Sequence, residues 1–357
     1  MATDDHPPPG TLHQAFRSYE ARDPAAPEGD TLNLAWTRDE REGLSVDLSS
    51  VLAGELRAEL DGEPRYLDRY LVRDPYGEET LGPAIAAAFA LPEWRGRVTC
   101  GAGVVSLLHG LARLPGSGGV HIIGDVYPDF PHWVTQSGGT SAAPRSAALW
   151  FLERPSLIGD AFAALADLGA LCEEAARHGA LVIVDESNAN YYPPAWSAVG
   201  LALARHNLVV ARGFSKAYGL GGLRLAYCVA SPALTDRVRS VVPPLLASSL
   251  SLRLGERVLA LGDITAPLRA RVHAHKREVT ELLERAGVGE LVPSSEHLPY
   301  VFSRDSAEHL RARLEARGVL GKHHPIWSGR SAGLGHIYRL SVPVSEARMA
   351  RLRQLLG

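Results

Sequence analysis

Only three of the 37 Lys+Arg residues in this 357-residue chain are lysines: Lys216, Lys276 and Lys322. A primary amine can condense with a carbonyl, whereas a guanidinium stays protonated, so amine–carbonyl chemistry has three candidates here. Lys276 stands in His275-Lys276-Arg277-Glu278, which reads as a charged helical face, and His273 and His275 read as solvated on the same helix. Lys322 stands beside His323 and His324 in what reads as a loop. Lys216 alone has small, apolar and hydroxyl neighbours, where desolvation can pull an amine's pKa down. Its segment, Ser215-Lys216-Ala217-Tyr218-Gly219-Leu220-Gly221-Gly222-Leu223-Arg224, follows the apolar run Leu208-Val209-Val210-Ala211. A strand ending in a glycine-rich turn would present that amine at the strand mouth.

Two other stretches have chemical character of their own. Thr99-Cys100-Gly101-Ala102-Gly103-Val104 reads as a strand, a glycine turn and a helix start. There the N–H groups of Ala102 and Gly103 can face an anion with the helix dipole behind them. Ala180-Leu181-Val182-Ile183-Val184 is a nearly continuous apolar run ending in Asp185, the pattern of a strand buried on both faces with a carboxylate at its mouth.

The segment from Ser215 to Arg224 closely resembles the cofactor-lysine segment of fold-type I pyridoxal-phosphate enzymes. Within them it is most similar to the class I/II aminotransferases of the histidinol-phosphate aminotransferase and threonine-phosphate decarboxylase kind. The resemblance spans about residues 65 to 345 and implies pyridoxal 5'-phosphate as cofactor. By that resemblance Lys216 carries the cofactor's aldehyde as an imine, and Arg224, eight positions on, binds its phosphate together with Ser215 and the Ala102–Gly103 turn. Asp185, about thirty positions before the lysine, takes the place of the acid that keeps the pyridine nitrogen protonated. Tyr127, in Asp125-Val126-Tyr127-Pro128, takes the aromatic position over the ring. Arg339, in Tyr338-Arg339-Leu340-Ser341-Val342, takes that of the arginine that forks the substrate carboxylate. Tyr70 is the choice for a tyrosine reaching the phosphate of a neighbouring subunit, with Tyr76 in competition.

Several family positions are altered. The Asn-Pro-x-Asn-Pro-Thr-Gly loop falls near Glu153-Arg154-Pro155-Ser156-Leu157-Ile158-Gly159, with Ser156 in place of the asparagine that contacts the phenolic oxygen. Asn188 replaces the tyrosine three after the aspartate, and Gly213 the hydroxyl residue three before the lysine. Asn188 or Tyr191 is then left to donate to that oxygen. The function implied is an aminotransferase acting at the α-carbon of a small amino acid. The alternatives are a lyase or cyclase that diverts the same carbanion, or the non-catalytic effector module of a regulator.

The elements needed to position these groups are legible as alternation. Strands are expected at Val98–Cys100, Val120–Ile123, Ala147–Leu152 and Ala180–Val184, and helices at Leu81–Leu91, Val104–Leu114 and Ala161–His178. Strands separated by helices predict an α/β fold whose large cofactor-binding domain has a mainly parallel sheet, seven-stranded by the resemblance. Beyond residue 245 a long helix from Thr265 to Ala286, a strand at Tyr300–Ser303, a helix at Ala307–Ala316 and a strand at Ile337–Val342 predict a smaller α+β C-terminal domain. The division expected is a Pro- and acid-rich arm over 1–45, a large domain over 46–245 and a small domain over 246–357.

Bulk properties bound the partners. A net charge of −3 gives no electrostatic reason to expect nucleic acid or an anionic membrane. No apolar run reaches the length of a membrane span, and the polar start is not a signal peptide. Three scattered cysteines, Cys100, Cys172 and Cys228, show neither metal spacing nor a disulfide framework, which fits the cytoplasm. Lys322-His323-His324 has no evident third ligand, so no metal is expected. Gly116-Ser117-Gly118-Gly119 precedes a strand rather than a helix and is a poor dinucleotide fingerprint. A homodimer is expected by the family resemblance.

Overall fold

The computed structural model describes residues 29–62, 65–68, 70–159, 164–287, 290–304, 309–324 and 337–357. The expectations for the arm up to residue 28 and for the first residues of the helices begun at Ala161 and Ala307 lie outside them. The strands among the described residues are β1 (Leu32–Asn33), β2 (Val98–Gly101), β3 (Gly119–Ile123), β4 (Thr140–Ser141), β5 (Ala147–Glu153), β6 (Leu181–Asp185), β7 (Leu208–Gly213), β8 (Ala226–Val229), β9 (Leu291–Val292), β10 (Tyr300–Arg304), β11 (Val319–Leu320), β12 (Lys322–His324) and β13 (Ile337–Ser341).

Seven of them form one sheet in the order β2-β8-β7-β6-β5-β3-β4. The pairs β3–β4, β3–β5, β5–β6 and β6–β7 are parallel, and β8 runs antiparallel to both its neighbours. This is the mainly parallel sheet that the apolar runs predict. β6 and β7 are buried at every position because helices cover both faces. Phe151, Ile183 and Val209 pack with Leu107 and Leu108 of the Val104–Leu111 helix. Trp150, Val182 and Val210, one residue out of phase, pack on the other face with Leu81, Leu168 and Leu252. Each such side chain contributes about 1.5–3 kcal/mol by leaving water.

The helix before β6, Leu165–Arg177, buries Leu168, Cys172 and Ala175, at helical spacing. It stops at Gly179, whose φ of +70° permits the left-handed turn that a side chain resists. Gly179 N–H donates to Ala176 O and Ala180 N–H to Ala175 O, which closes the helix and aims β6 and its terminal Asp185.

A second sheet, antiparallel in the order β12-β13-β10-β9, is backed by Val279, Leu282 and Leu283 of the Ala266–Arg285 helix and by Met349 and Leu352 of the Glu346–Leu356 helix. It supplies the smaller α+β layer. Leu32 and Leu34 are buried in the same core, and β1 pairs in parallel with β11. The Ser249–Ala260 helix packs instead beside the large sheet, through Leu252, Val258 and Leu259.

The charged face expected on the long helix is not what the structure has there. Lys276 is buried, and its Nζ donates to Ser294 Oγ (2.9 Å), Ser295 O (2.6 Å) and Leu298 O (3.2 Å). Buried Leu268, Val272, Val279 and Leu283 repeat at intervals that put residue 276 on the same stripe, so its stem packs inward. Burial lowers the Lys276 pKa to about 7. His275 is buried too, its ring nitrogens facing Pro343 O (2.9 Å) and Glu346 Oε1 (3.1 Å).

Candidate active site

A cavity of about 630 Å³ opens at the C-terminal ends of β5, β6 and β7, on the face covered by the Val104–Leu111 helix. Lys216, Asp185, Asn188, Ser215, Arg224, Tyr127 and Arg339 all line it. The volume lies in the usual range for a small-molecule site.

Lys216 follows β7 by three residues, in a turn where Ala217 (φ +62°), Gly219 (φ +61°) and Arg224 (φ +49°) are left-handed. For the two residues with side chains that backbone costs about 1–2 kcal/mol each. It persists because the turn is held from several sides. Tyr218 N–H donates to Lys216 O (2.7 Å), Leu220 N–H to Phe214 O (3.2 Å) and Arg41 Nη2 to Gly219 O (2.7 Å). Gly213, where the resemblance expects a hydroxyl residue, packs against the helix: a Cβ there would lie 2.7 Å from Val104 Cγ2. The close approach of helix to strand explains the glycine.

Asp185 ends β6, and its Oδ1 accepts the Ser187 N–H at 2.8 Å. Burial raises its pKa to about 6, against the lowering effect of the Ser187 hydrogen bonds. The carboxylate and the Lys216 amine therefore meet in one cavity, as the sequence requires.

The turn expected to face an anion differs in detail. Gly103, at φ +83°, turns its N–H back to Gly101 O (2.8 Å). The residues facing the cavity are Val104 and Val105 in the first turn of the helix, rather than Ala102 and Gly103. Arg224 closes the other side, donating to Gly221 O and Ala102 O at 3.1 Å each. A Cβ added at Gly103 would collide with its guanidinium.

Tyr127 lines the wall, tilted at 37° to Trp133. Arg339, on β13, is buried with its guanidinium 4.6 Å from the Tyr300 ring centroid and its Nη2 donating to Ala35 O. Two proposed donors face elsewhere. Ser156 Oγ donates to Ile158 O (2.9 Å), and Tyr191 OH to Glu40 Oε1 (3.1 Å). Asn188 does face the cavity, with its Oδ1 buried and no hydrogen-bond partner among the described residues. Tyr76 OH donates to Arg239 O and its ring lies under the Arg239 guanidinium, whereas Tyr70 is 78% exposed and stands away from the cavity of its own chain.

Sequence reasoning missed two neighbours. Lys322 is not in a loop: it lies on β12, in register with Arg339, and its Nζ is 5.3 Å from the ring centroid of Trp36, which lines the cavity. Burial, then the charges of Arg339 and Lys216, lower its pKa to about 5. Glu153, the last residue of β5, also lines the cavity, directly beside Asp185 in the β5–β6 register. Its signal was the strand-mouth position that singled out Asp185, obscured because the segment reads as an altered family loop.

The family model for class I and II aminotransferases matches residues 159–354. A histidinol-phosphate aminotransferase of Symbiobacterium thermophilum is 32% identical over 181 residues, 50% of this chain and 49% of that protein. An aromatic amino acid aminotransferase of Cutibacterium acnes is 28% identical over 144 residues, 40% of this chain and 41% of that one. The matches thus span about half or less of the curated relatives' length. In fold, the chain is similar to the histidinol-phosphate aminotransferase of Sinorhizobium meliloti solved with pyridoxal-5'-phosphate (TM-score 0.70, 18% identity, 97% of each chain). It is similar also to the L-threonine-O-3-phosphate decarboxylase of Porphyromonas gingivalis (TM-score 0.69, 17% identity, 91% of this chain and 98% of that one).

Proposed function

The chain belongs to the class I and II aminotransferases, and we propose that it is a pyridoxal 5'-phosphate-dependent aminotransferase moving the amino group of a small amino acid to a 2-oxo acid. The observation that carries this reading is the convergence of Lys216, Asp185 and Arg339, from three separate stretches, on one cavity.

The residues present fit that cofactor. The glycine at 103 leaves room for the Arg224 guanidinium beside the helix start, and the orphaned Oδ1 of buried Asn188 is an unmet polar group in the wall. Lys216 would hold the aldehyde carbon, Asp185 the pyridine nitrogen, and Arg224, Ser215 and the backbone N–H groups of Val104 and Val105 the phosphate. Tyr127 would cover the ring, and Asn188 would face the phenolic edge. The bound cofactor supplies an electron sink for negative charge developing at the substrate α-carbon. Asp185, ionised above its pKa of about 6, favours a protonated ring nitrogen. Arg339 offers a carboxylate two parallel donors and so fixes which α-substituent faces Lys216. With a substrate amine bound in its place, the Lys216 nitrogen, lining the same cavity, would be positioned to take the α-proton.

The assembly proposed is a homodimer. Leu60 (64% exposed), Tyr70 and Val72 (68% exposed) leave apolar area open, which a second copy would cover. Tyr70 would there reach the neighbour's phosphate. The domain division at about 45 and 245 is proposed alongside, since the strands of the two main sheets fall on either side of residue 245. Among the described residues no helix is long and apolar enough to cross a membrane. Three buried free thiols support a reducing, cytoplasmic location.

Purified protein loaded with cofactor and given amino acids with 2-oxo acids should transfer the amino group, and Lys216→Ala should abolish it. Release of ammonia or a cyclised product without amine transfer would replace this reading with a lyase or cyclase.

A further inference from the structure

Glu153 and Asp185 end neighbouring parallel strands as direct register partners. They are 8% and 4% exposed, and both line the cavity that holds Lys216. Register partners in a ladder lie about 4.8 Å apart and point to the same face. Two carboxyl groups thus share a corner that little water reaches.

The strand mouths are fixed from behind. The next residues along, Arg154 and Glu186, point to the opposite face and form a buried ion pair, with Arg212 Nη1 on the second Glu186 oxygen at 2.6 Å. Arg154 N–H also donates to Asp185 O at 2.9 Å. That clamp stops β5 and β6 from spreading to relieve repulsion on the cavity side.

Two like charges at such separation in a poorly hydrated site are relieved when one group stays protonated. The surroundings decide which. Asp185 accepts hydrogen bonds from the backbone and hydroxyl of Ser187. Glu153 has one backbone donor, at Tyr127, and faces a second acid, Asp125, from the segment after β3; the Lys216 amine opposes these from the β7 side. Burial and then the charge of Asp185 hold the Glu153 carboxyl well above the usual range.

We propose that Glu153 keeps its proton at neutral pH while Asp185 carries the charge of the pair, and that it donates this proton as a hydrogen bond to the phenolic oxygen of the ring bound against Asp185. This rests on reading the cavity as the cofactor site. It assigns a donor to the ring's edge where Ser156 and Tyr191 face away. The charge of the pair stays on Asp185 and the proton on Glu153.

The test has two parts. Infrared difference spectra of the cofactor-free protein should show a protonated-carboxyl band at pH 7 that Glu153→Gln removes. In Asp185→Asn the band should vanish at lower pH than in wild type. Absence of the band at pH 7, or its survival in Glu153→Gln, would overturn the proton assigned to Glu153. In the loaded protein, the pH midpoint of the bound chromophore should shift by about one unit in Glu153→Ala, as expected for one lost hydrogen bond, and stay near wild type in Glu153→Gln, whose amide still donates. Equal shifts in both variants, or none in Glu153→Ala, would overturn the donor role. Wild-type protein that takes up no cofactor would contradict the functional reading and the donor role with it, while the infrared band would still report on the proton of Glu153.

Discussion

Arg154 Nη1 donates to Glu186 Oε1 at 2.8 Å with both side chains shut off from solvent, one residue beyond the Glu153–Asp185 pair and on the other face of the sheet. Arg212 Nη1 bonds the other carboxylate oxygen and Ser197 Oγ, and the Arg154 guanidinium lies 3.5 Å from the Trp196 ring centroid. One carboxylate therefore stands between two buried guanidinium groups. Glu186→Gln would remove the charge that both guanidinium groups face, and the expected loss of stability is about 3–5 kcal/mol. Urea unfolding of the cofactor-free protein measures it; a loss under about 1 kcal/mol would show that water reaches the guanidinium groups.

Asp185 has the opposite sign. Its pKa is raised to about 6 in the folded chain, chiefly by burial, so its contribution to stability is fully present below the ordinary carboxylate pKa and lost as pH rises through 6. Above that pH, Asp185→Asn should be more stable than wild type by about 2 kcal/mol without cofactor. It should also bind the cofactor more weakly. Calorimetric melts and cofactor titration at pH 7.5 read both effects, and a variant that gains neither stability nor a weaker affinity would contradict the charge assignment.

Lys322 gives a pH slope of its own. With its pKa lowered to about 5 by burial, the folded chain holds the amine neutral where the unfolded chain protonates it. That stability is fully present above the unfolded pKa and falls away as pH drops toward 5. Unfolding free energy should therefore rise between pH 6 and 9 by up to about 1.4 kcal/mol per unit from this group, and Lys322→Met should flatten the rise. Parallel curves for the two proteins would show that the ammonium finds water or a counter-ion.

Gly103 has both a left-handed backbone and the Arg224 guanidinium against it. Gly103→Ala should displace that arginine and weaken pyridoxal 5'-phosphate about tenfold or more, with little change for pyridoxal, which lacks the phosphate. Fluorescence titration with both ligands separates the cradle from a general loss of fold.

Much of this was legible in the sequence for stated reasons. The runs Leu181–Val184 and Leu208–Ala211 contain nothing but apolar residues, so a doubly covered sheet followed, and with it the mouth positions of Asp185 and Lys216. Arg224, Tyr127 and Arg339 came only from the resemblance, since an arginine or tyrosine carries no local signal of its role. Glu153 was hidden because its partner is set by β5–β6 register, a tertiary property. Ser156 and Tyr191 were misdirected because a side chain's aim in a loop depends on contacts such as Glu40 with Tyr191, 151 residues apart. Lys276 was recoverable: its spacing from Leu268, Val272, Val279 and Leu283 lies on the buried stripe, but its charge argued the other way.

The most direct test is reduction of the cofactor-loaded protein with borohydride, followed by proteolysis and mass spectrometry of the three lysine-containing peptides. The pyridoxyl mass should appear on Lys216 alone, and Lys216→Ala should carry none. Labelling at Lys276 or Lys322, whose amines burial holds below the usual lysine pKa, or no label at all, would contradict the account.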